Sequence, residues 1–159
     1  MTDTTPSPMA FSSLGLPPFL LDSLSVLGYE EATPIQAETI PALMADRDVV
    51  GIAQTGTGKT AAFALPALAK LDYERRNPQV LVLCPTRELS MQVADAFRSY
   101  AKSSDGCRVV ALCGGNDMRQ QLRNLKDGVH IVVATPGRLL DHLKRGSADF
   151  SEIKSVVLD

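Results

Sequence analysis

Ala53-Gln54-Thr55-Gly56-Thr57-Gly58-Lys59-Thr60 is the stretch on which the reading of this chain turns. A β-branched run, Asp48–Ala53, leads into it, and an apolar run, Ala61–Ala69, broken only by Pro66, leads out. The spacing fits G-x-x-x-x-G-K-T/S, with Ala53 in place of the first glycine. Glycines let the backbone curl until successive N–H groups converge on phosphate oxygens, and the new helix adds the positive end of its dipole. Lys59 would then reach the β and γ phosphates, and the Thr60 hydroxyl would hold Mg²⁺. The competing reading is an ordinary glycine-rich turn with an incidental lysine. A strand before and a helix after favour the phosphate loop. Such a loop marks a nucleotide binder without choosing among kinases, GTPases, transporters and helicases.

Working outward, four more short apolar runs follow: Val80–Cys84, Arg108–Cys113, His130–Ala134 and Ser155–Asp159. Their nearly continuous apolar middles suit strands buried on both faces. Helical patterns separate them. Thr86–Lys102 places Leu89, Val93, Phe97 and Tyr100 on one face, and Asp117–Lys126 does the same with Met118, Leu122 and Leu125. Thr135–Arg145 has Thr135 as N-cap, Pro136 in the first turn and Gly146 as its stop. Pro18–Leu27 and Pro34–Met44 read as two earlier helices. Strands alternating with helices predict an α/β fold with a mostly parallel, doubly wound sheet.

The chain has 159 residues, 45% hydrophobic and 21% charged, which is one globular domain's worth. No apolar run approaches the roughly 20 residues needed to cross a bilayer. Residues 1–10, rich in Thr, Ser and Pro, read as a disordered leader without the features of a secretory signal. Cys84, Cys107 and Cys113 lack CxxC spacing and read as core residues of a reducing, cytoplasmic protein. His130 and His142 are isolated and read as structural. A net charge of −2 argues mildly against bulk attraction to nucleic acid, so any such contact must be local.

Other segments stand where the loop stands, after a strand and before a helix. Pro85-Thr86-Arg87-Glu88-Leu89 and Thr135-Pro136-Gly137-Arg138 each offer unpaired N–H groups, a hydroxyl and a guanidinium, suited to backbone phosphates. Gly114-Gly115 permits close approach. Plain capping with solvated arginines is the alternative for either segment alone. Upstream, Gly28–Gln36 contains Tyr29, which can stack on a base, and Gln36, whose amide matches the adenine edge; Gln36 could equally be a surface polar residue.

Together these segments closely resemble the first RecA-like domain of DEAD-box RNA helicases. Gly28–Gln36 resembles the Q motif, with Phe11 as its upstream aromatic. Ala53–Thr60 resembles motif I, Pro85–Ser90 motif Ia, Gly114-Gly115 the GG motif, Thr135–Arg138 motif Ib, and Val156–Asp159 the start of motif II. Ser90 departs from the usual alanine. Leu81–Leu89 and His130–Leu143 are most similar to bacterial DbpA-type ribosomal RNA helicases, which makes ribosomal RNA a candidate partner.

The resemblance implies ATP and Mg²⁺ as cofactors and one RNA strand as partner, unwound in short duplexes. It implies that Tyr29, Thr33, Gln36 and Ala53–Thr60 bind ATP, that Lys59 and Asp159 serve catalysis, and that Thr60 and Asp159 hold Mg²⁺. Pro85, Thr86, Arg87, Gly114, Gly115, Thr135, Pro136, Gly137 and Arg138 would contact the RNA backbone. It implies residues 11–159 as a partial domain, ending before the sheet is complete and without the second RecA-like domain. The strand expected between the phosphate-loop strand and that of motif II is then absent, so the isolated chain is expected to be unstable and not to hydrolyse ATP. Another phosphate-loop NTPase and a non-catalytic RNA-binding piece remain the alternatives; no guanine-selecting Asn-Lys-x-Asp segment appears.

Overall fold

Alternation along one strand shows how the molecule is layered. In a computed structural model describing residues 7–159, Ile131, Val132, Val133 and Ala134 are all fully buried. Successive side chains of a strand point to opposite faces. Accordingly Ile131 and Val133 join one apolar cluster, with Leu65, Val93 and Phe97, while Val132 and Ala134 join another, with Leu112 and Leu139. A strand apolar at every position is thus a strand with a core on each side.

In chain order the elements are β1 (Met9–Ala10), α1 (Pro18–Val26), β2 (Glu31–Ala32), α2 (Pro34–Met44), α3 (Lys59–Ala69), β3 (Val80–Leu83), α4 (Arg87–Tyr100), β4 (Val109–Leu112), α5 (Met118–Lys126), β5 (Ile131–Ala134), α6 (Pro136–Arg145) and β6 (Ser155–Leu158). The main sheet is four-stranded in the order β4-β5-β3-β6. Every pairing in it is parallel, with Val80 opposite both Ile131 and Ser155, and Val109 opposite Ile131. Residues of α1 to α4 supply the larger core; α5 and α6 cover the other face through Leu125 and Leu139. On α4, Val93, Phe97 and Tyr100 are buried as their spacing predicts. On α5 the deepest residue is Gln121, with Met118, Leu122 and Leu125 only half-buried.

Two expectations need correction. Asp48–Ala53 is not a strand: it has no regular secondary structure, and Val50 and Ile52 are each 94% exposed. A strand exists through its ladder of hydrogen bonds, and no described strand lies beside this segment. Instead a groove of about 650 Å³ runs between Val49–Gly51 and Ser155–Asp159. Among the described residues the groove-side edge of β6 has no partner strand, and Val156 and Leu158 are 58% and 79% exposed. The second correction concerns the leader. Met9 and Ala10 pair antiparallel with Ala32 and Glu31, and this short ribbon delivers Phe11 to a buried position. The first six residues of the expected leader lie outside the described residues.

Candidate functional site

Because the strands of the main sheet are parallel, the segments that follow them emerge at one edge. Hydrogen bonds carry the ladder one residue past each strand: Cys84 N–H donates to Ala134 O (2.9 Å), Thr135 N–H to Leu112 O (3.0 Å), and Asp159 N–H to Leu83 O (3.0 Å). The rim therefore reads, across the sheet, Gly114-Gly115, Thr135–Arg138, Pro85–Arg87 and Asp159. Lys59 and Asp159 border the same groove. The sequence-predicted residues after the strands thus share the carboxyl side of the sheet, where open parallel sheets hold ligands, and the groove that Lys59 borders runs along β6 to Asp159 on that side.

The turn before α3 is shaped by left-handed glycines, Gly56 at φ 83° and Gly58 at φ 85°. Thr57 Oγ1 donates to Gln54 O (2.5 Å), closing the turn on itself. Gly58 occupies the N-cap position and has no side chain to cap the helix, so the first amides of α3 have no side-chain cap. A β-carbon on Gly58 would lie 2.3 Å from Gln36 Nε2. That proximity comes from a hydrogen bond: Gln36 Nε2 donates to Gly58 O (3.1 Å), and Gln36 Oε1 accepts from Thr33 N–H (2.9 Å). Gln36 is 1% exposed, and its amide makes one bond to backbone at each end. Thr33 Oγ1 is buried beside Gly58, and Thr33 and Gln36 form a capping box at the start of α2.

Tyr29 is 40% exposed and is braced edge-on by Phe11 (centroids 6.2 Å apart) and by Tyr100 (6.1 Å). The exposed part of its ring is available for stacking. The Tyr100 hydroxyl, 3.5 Å from that of Tyr29, is pushed well above its ordinary range, chiefly by burial.

On the rest of the rim, Thr86 caps α4 by accepting from Leu89 N–H (3.2 Å), whereas Thr135 makes no such bond at α6. Arg87 lies across Gly115, where a β-carbon would come within 2.6 Å of its Nη1, and its Nη2 donates to Asn116 Oδ1 (3.2 Å). Arg138 Nη1 is buried and unpartnered. Neither arginine forms an ion pair with a described carboxylate. Burial raises the Cys113 thiol, and the same two guanidinium groups oppose that shift, which places both charges near the end of β4.

Thr60 and Asp159 supply one hydroxyl and one carboxylate, hard oxygen donors suited to Mg²⁺, which keeps most of its shell as water and phosphate oxygen. No larger cluster of metal-ligating side chains occurs among the described residues. Cys84 and Cys113 are buried and Cys107 half-buried, all as free thiols. His130 and His142 are both fully buried and hydrogen-bonded. No described helix is long and apolar enough to cross a membrane. Asn116 and Gln121, which hold the Gly114-Gly115 turn from below, were not singled out by the sequence; Gln121 sits on the inward face of α5 between Met118 and Leu125, and only that polar interruption signals it.

Comparison with known proteins bears on this arrangement. Residues 33–159 match the DEAD/DEAH box helicase family. The chain is 57% identical over 149 residues to the ATP-dependent RNA helicase DeaD of Escherichia coli (strain K12), covering 94% of this chain and 24% of that protein. It is 52% identical over 151 residues to the DeaD protein of Haemophilus influenzae, covering 95% and 25%. The finer likeness to DbpA-type helicases draws no support from these relatives. A DEAD box protein of the hyperthermophile Methanococcus jannaschii superposes with a TM-score of 0.89 at 37% identity, over 95% of this chain and 41% of that one. The chain spans about a quarter of the length of the curated relatives it matches. With that match across most of its length, on a RecA-like sheet, this chain belongs to the DEAD/DEAH box helicase family.

Proposed function

We propose that this chain forms the ATP-binding half of an RNA-unwinding motor and holds one RNA strand by its backbone. The observation that supports the reading is the rim: Arg87 and Arg138, two guanidinium groups without described acidic partners, follow neighbouring strands at the sheet edge where Asp159 ends β6, and the groove bordered by Lys59 runs to Asp159. Arg138 Nη1 is buried with no described hydrogen-bond partner, a costly state that a phosphate oxygen would relieve, and Arg87 is exposed and free to meet one.

In this reading Gly56, Gly58 and the first amides of α3 cradle the triphosphate, and Lys59 neutralises its outer oxygens. Ala53, Gln54, Thr55 and Thr57 form the rest of the loop. Tyr29 stacks on the base through the exposed part of its ring. Gln36 Nε2 keeps a second hydrogen and Oε1 a second lone pair, so reading adenine would add to its bonds with Gly58 O and Thr33 N–H and couple base recognition to the shape of the phosphate loop. Thr60 and Asp159 would hold Mg²⁺, which supplies charge neutralisation of the phosphates when bound. Thr86, Arg87, Gly115, Thr135 and Arg138 grip phosphates and riboses, with Pro85, Gly114, Pro136 and Gly137 shaping the backbone between them. Contacts to phosphates and riboses carry no sequence information, so in this reading the grip is independent of sequence. Ribosomal RNA as the natural partner, and a cytoplasmic setting, are the narrower parts of the proposal.

Nucleotide competition with labelled ATP analogue, followed by RNA titration at several salt concentrations, tests the reading. ATP should displace the probe far better than GTP, and single-stranded RNA of unrelated sequences should bind with similar affinity and clear salt dependence. Preference for GTP, or tight binding to one RNA sequence only, overturns it.

A further inference from the structure

Beneath the rim, a buried polar chain joins two segments proposed to hold RNA. Gln121 and His142 are 3% and 0% exposed and belong to different helices, α5 and α6. Gln121 Nε2 donates to Cys113 O (3.0 Å), the carbonyl immediately before Gly114-Gly115. A carbonyl can only accept, so the amide orientation is fixed and Gln121 Oε1 must face His142 Nε2, 2.8 Å away. An oxygen there requires a proton on Nε2, which leaves Nδ1 of the neutral ring to accept the one proton of Ser147 Oγ (2.7 Å), a hydroxyl that also lies a longer 3.1 Å from His142 O. Every polar atom of both side chains that points inward is thereby engaged, in a setting where a missing partner is expensive.

The geometry points to Gln121 and His142 as positioning residues that set the spacing between the Gly114-Gly115 turn and the start of α6 at Thr135–Arg138. The inference rests on the RNA reading above and goes beyond it, because neither residue reaches the rim. Backbone hydrogen bonds already tie β4 to β5, including Thr135 N–H to Leu112 O. They fix where the strands end. They do not fix where α6, which follows, carries Arg138, nor how the flexible double glycine lies against it. The Gln121–His142 bridge ties both.

The test uses the 159-residue chain, a fluorescent oligouridylate and a fluorescent ATP analogue. Gln121→Met keeps the side-chain volume and removes both bonds. It should weaken RNA binding by about tenfold, the scale of one buried hydrogen bond lost with its partner left unpaired, while ATP-analogue affinity stays within about twofold. Ser147→Ala, at the outer end of the chain, leaves the Cys113 carbonyl engaged and should change RNA affinity by no more than about twofold. If the methionine variant binds RNA as the parent chain does, or loses ATP affinity in parallel, the positioning role is wrong while the RNA reading stands. If the parent chain itself fails to bind RNA, the RNA reading falls and takes this inference with it. Should Gln121→Met not fold, nitrogen NMR of the parent chain decides: the His142 proton belongs on Nε2, and a neutral ring protonated on Nδ1 overturns the arrangement.

Discussion

Replacing single glycines by alanine separates three physical situations on one rim. At Gly58 the backbone sits at φ 85°, where a β-carbon costs about 1–2 kcal/mol. That β-carbon would also lie 2.3 Å from Gln36 Nε2, so the buried amide must withdraw from Gly58 O. Leaving a buried group unpaired adds about 1–3 kcal/mol. Gly58→Ala should therefore cost about 2–5 kcal/mol, a large share of the roughly 5–15 kcal/mol that holds a domain folded. Gly56 has the same left-handed φ but open space around it, so Gly56→Ala should cost only the conformational part, about 1–2 kcal/mol. Gly114 has neither a positive φ nor a neighbour within 4 Å, and Gly114→Ala should fall within about 0.5 kcal/mol of the parent. Urea unfolding followed by far-ultraviolet circular dichroism measures the series. Combining Gly58→Ala with Gln36→Ala removes the collision, so the second substitution should cost much less there than alone. Equal costs at Gly58 and Gly114, or strict additivity with Gln36→Ala, would refute the reasoning.

Other consequences are equally open to measurement. Lys59→Ala should reduce ATP-analogue affinity by at least about tenfold without shifting the unfolding midpoint, since the Lys59 ammonium makes no described ion pair; unchanged affinity counts against its assigned role. The chain's only two histidines, His130 and His142, are held below the ordinary imidazole range, mainly by burial. The unfolded chain then binds more protons below about pH 6.5, so stability should be full above that value and fall as pH drops through it towards the lower folded-state pKa values. Replacing both by glutamine should flatten the curve between pH 7 and 5.5, ahead of carboxylate titration, and an unaltered slope there would contradict the assignment. Val156→Lys, on the unpaired and half-exposed edge of β6, should reduce self-association in sedimentation experiments; an edge so apolar invites pairing, and a parent chain that is monomeric at high concentration would remove the premise.

Much of the fold was readable because apolar runs, caps and breakers agree locally. Val80–Leu83 and Ile131–Ala134 announce a doubly covered sheet by having no polar alternation, and Thr135, Pro136 and Gly146 bracket α6 within a residue of where it lies. Asp48–Ala53 misleads for the same reason that makes strands non-local: its composition is right, yet a strand needs a neighbour, and composition carries no information on whether one is present. Met9–Ala10 misleads in the opposite sense, a polar-looking leader recruited into a ribbon by Glu31–Ala32. At the site, spacing located the rim segments but could not foresee that Gln36 would spend its amide on Gly58 and Thr33, or that Asn116 would hold Arg87. The Gln36–Gly58 and Arg87–Asn116 bonds join residues 22 and 29 positions apart, and only the folded chain brings them together.

Proton–nitrogen correlation spectra of the chain, titrated first with a non-hydrolysable ATP analogue and then with single-stranded RNA, test the shared rim directly. The account predicts that nucleotide moves Gly56–Thr60 and Tyr29, whereas RNA moves Thr86, Arg87, Gly115 and Thr135–Arg138 on the same edge. RNA-induced shifts confined to the opposite end of the sheet, or to the outer face of α1, would contradict it.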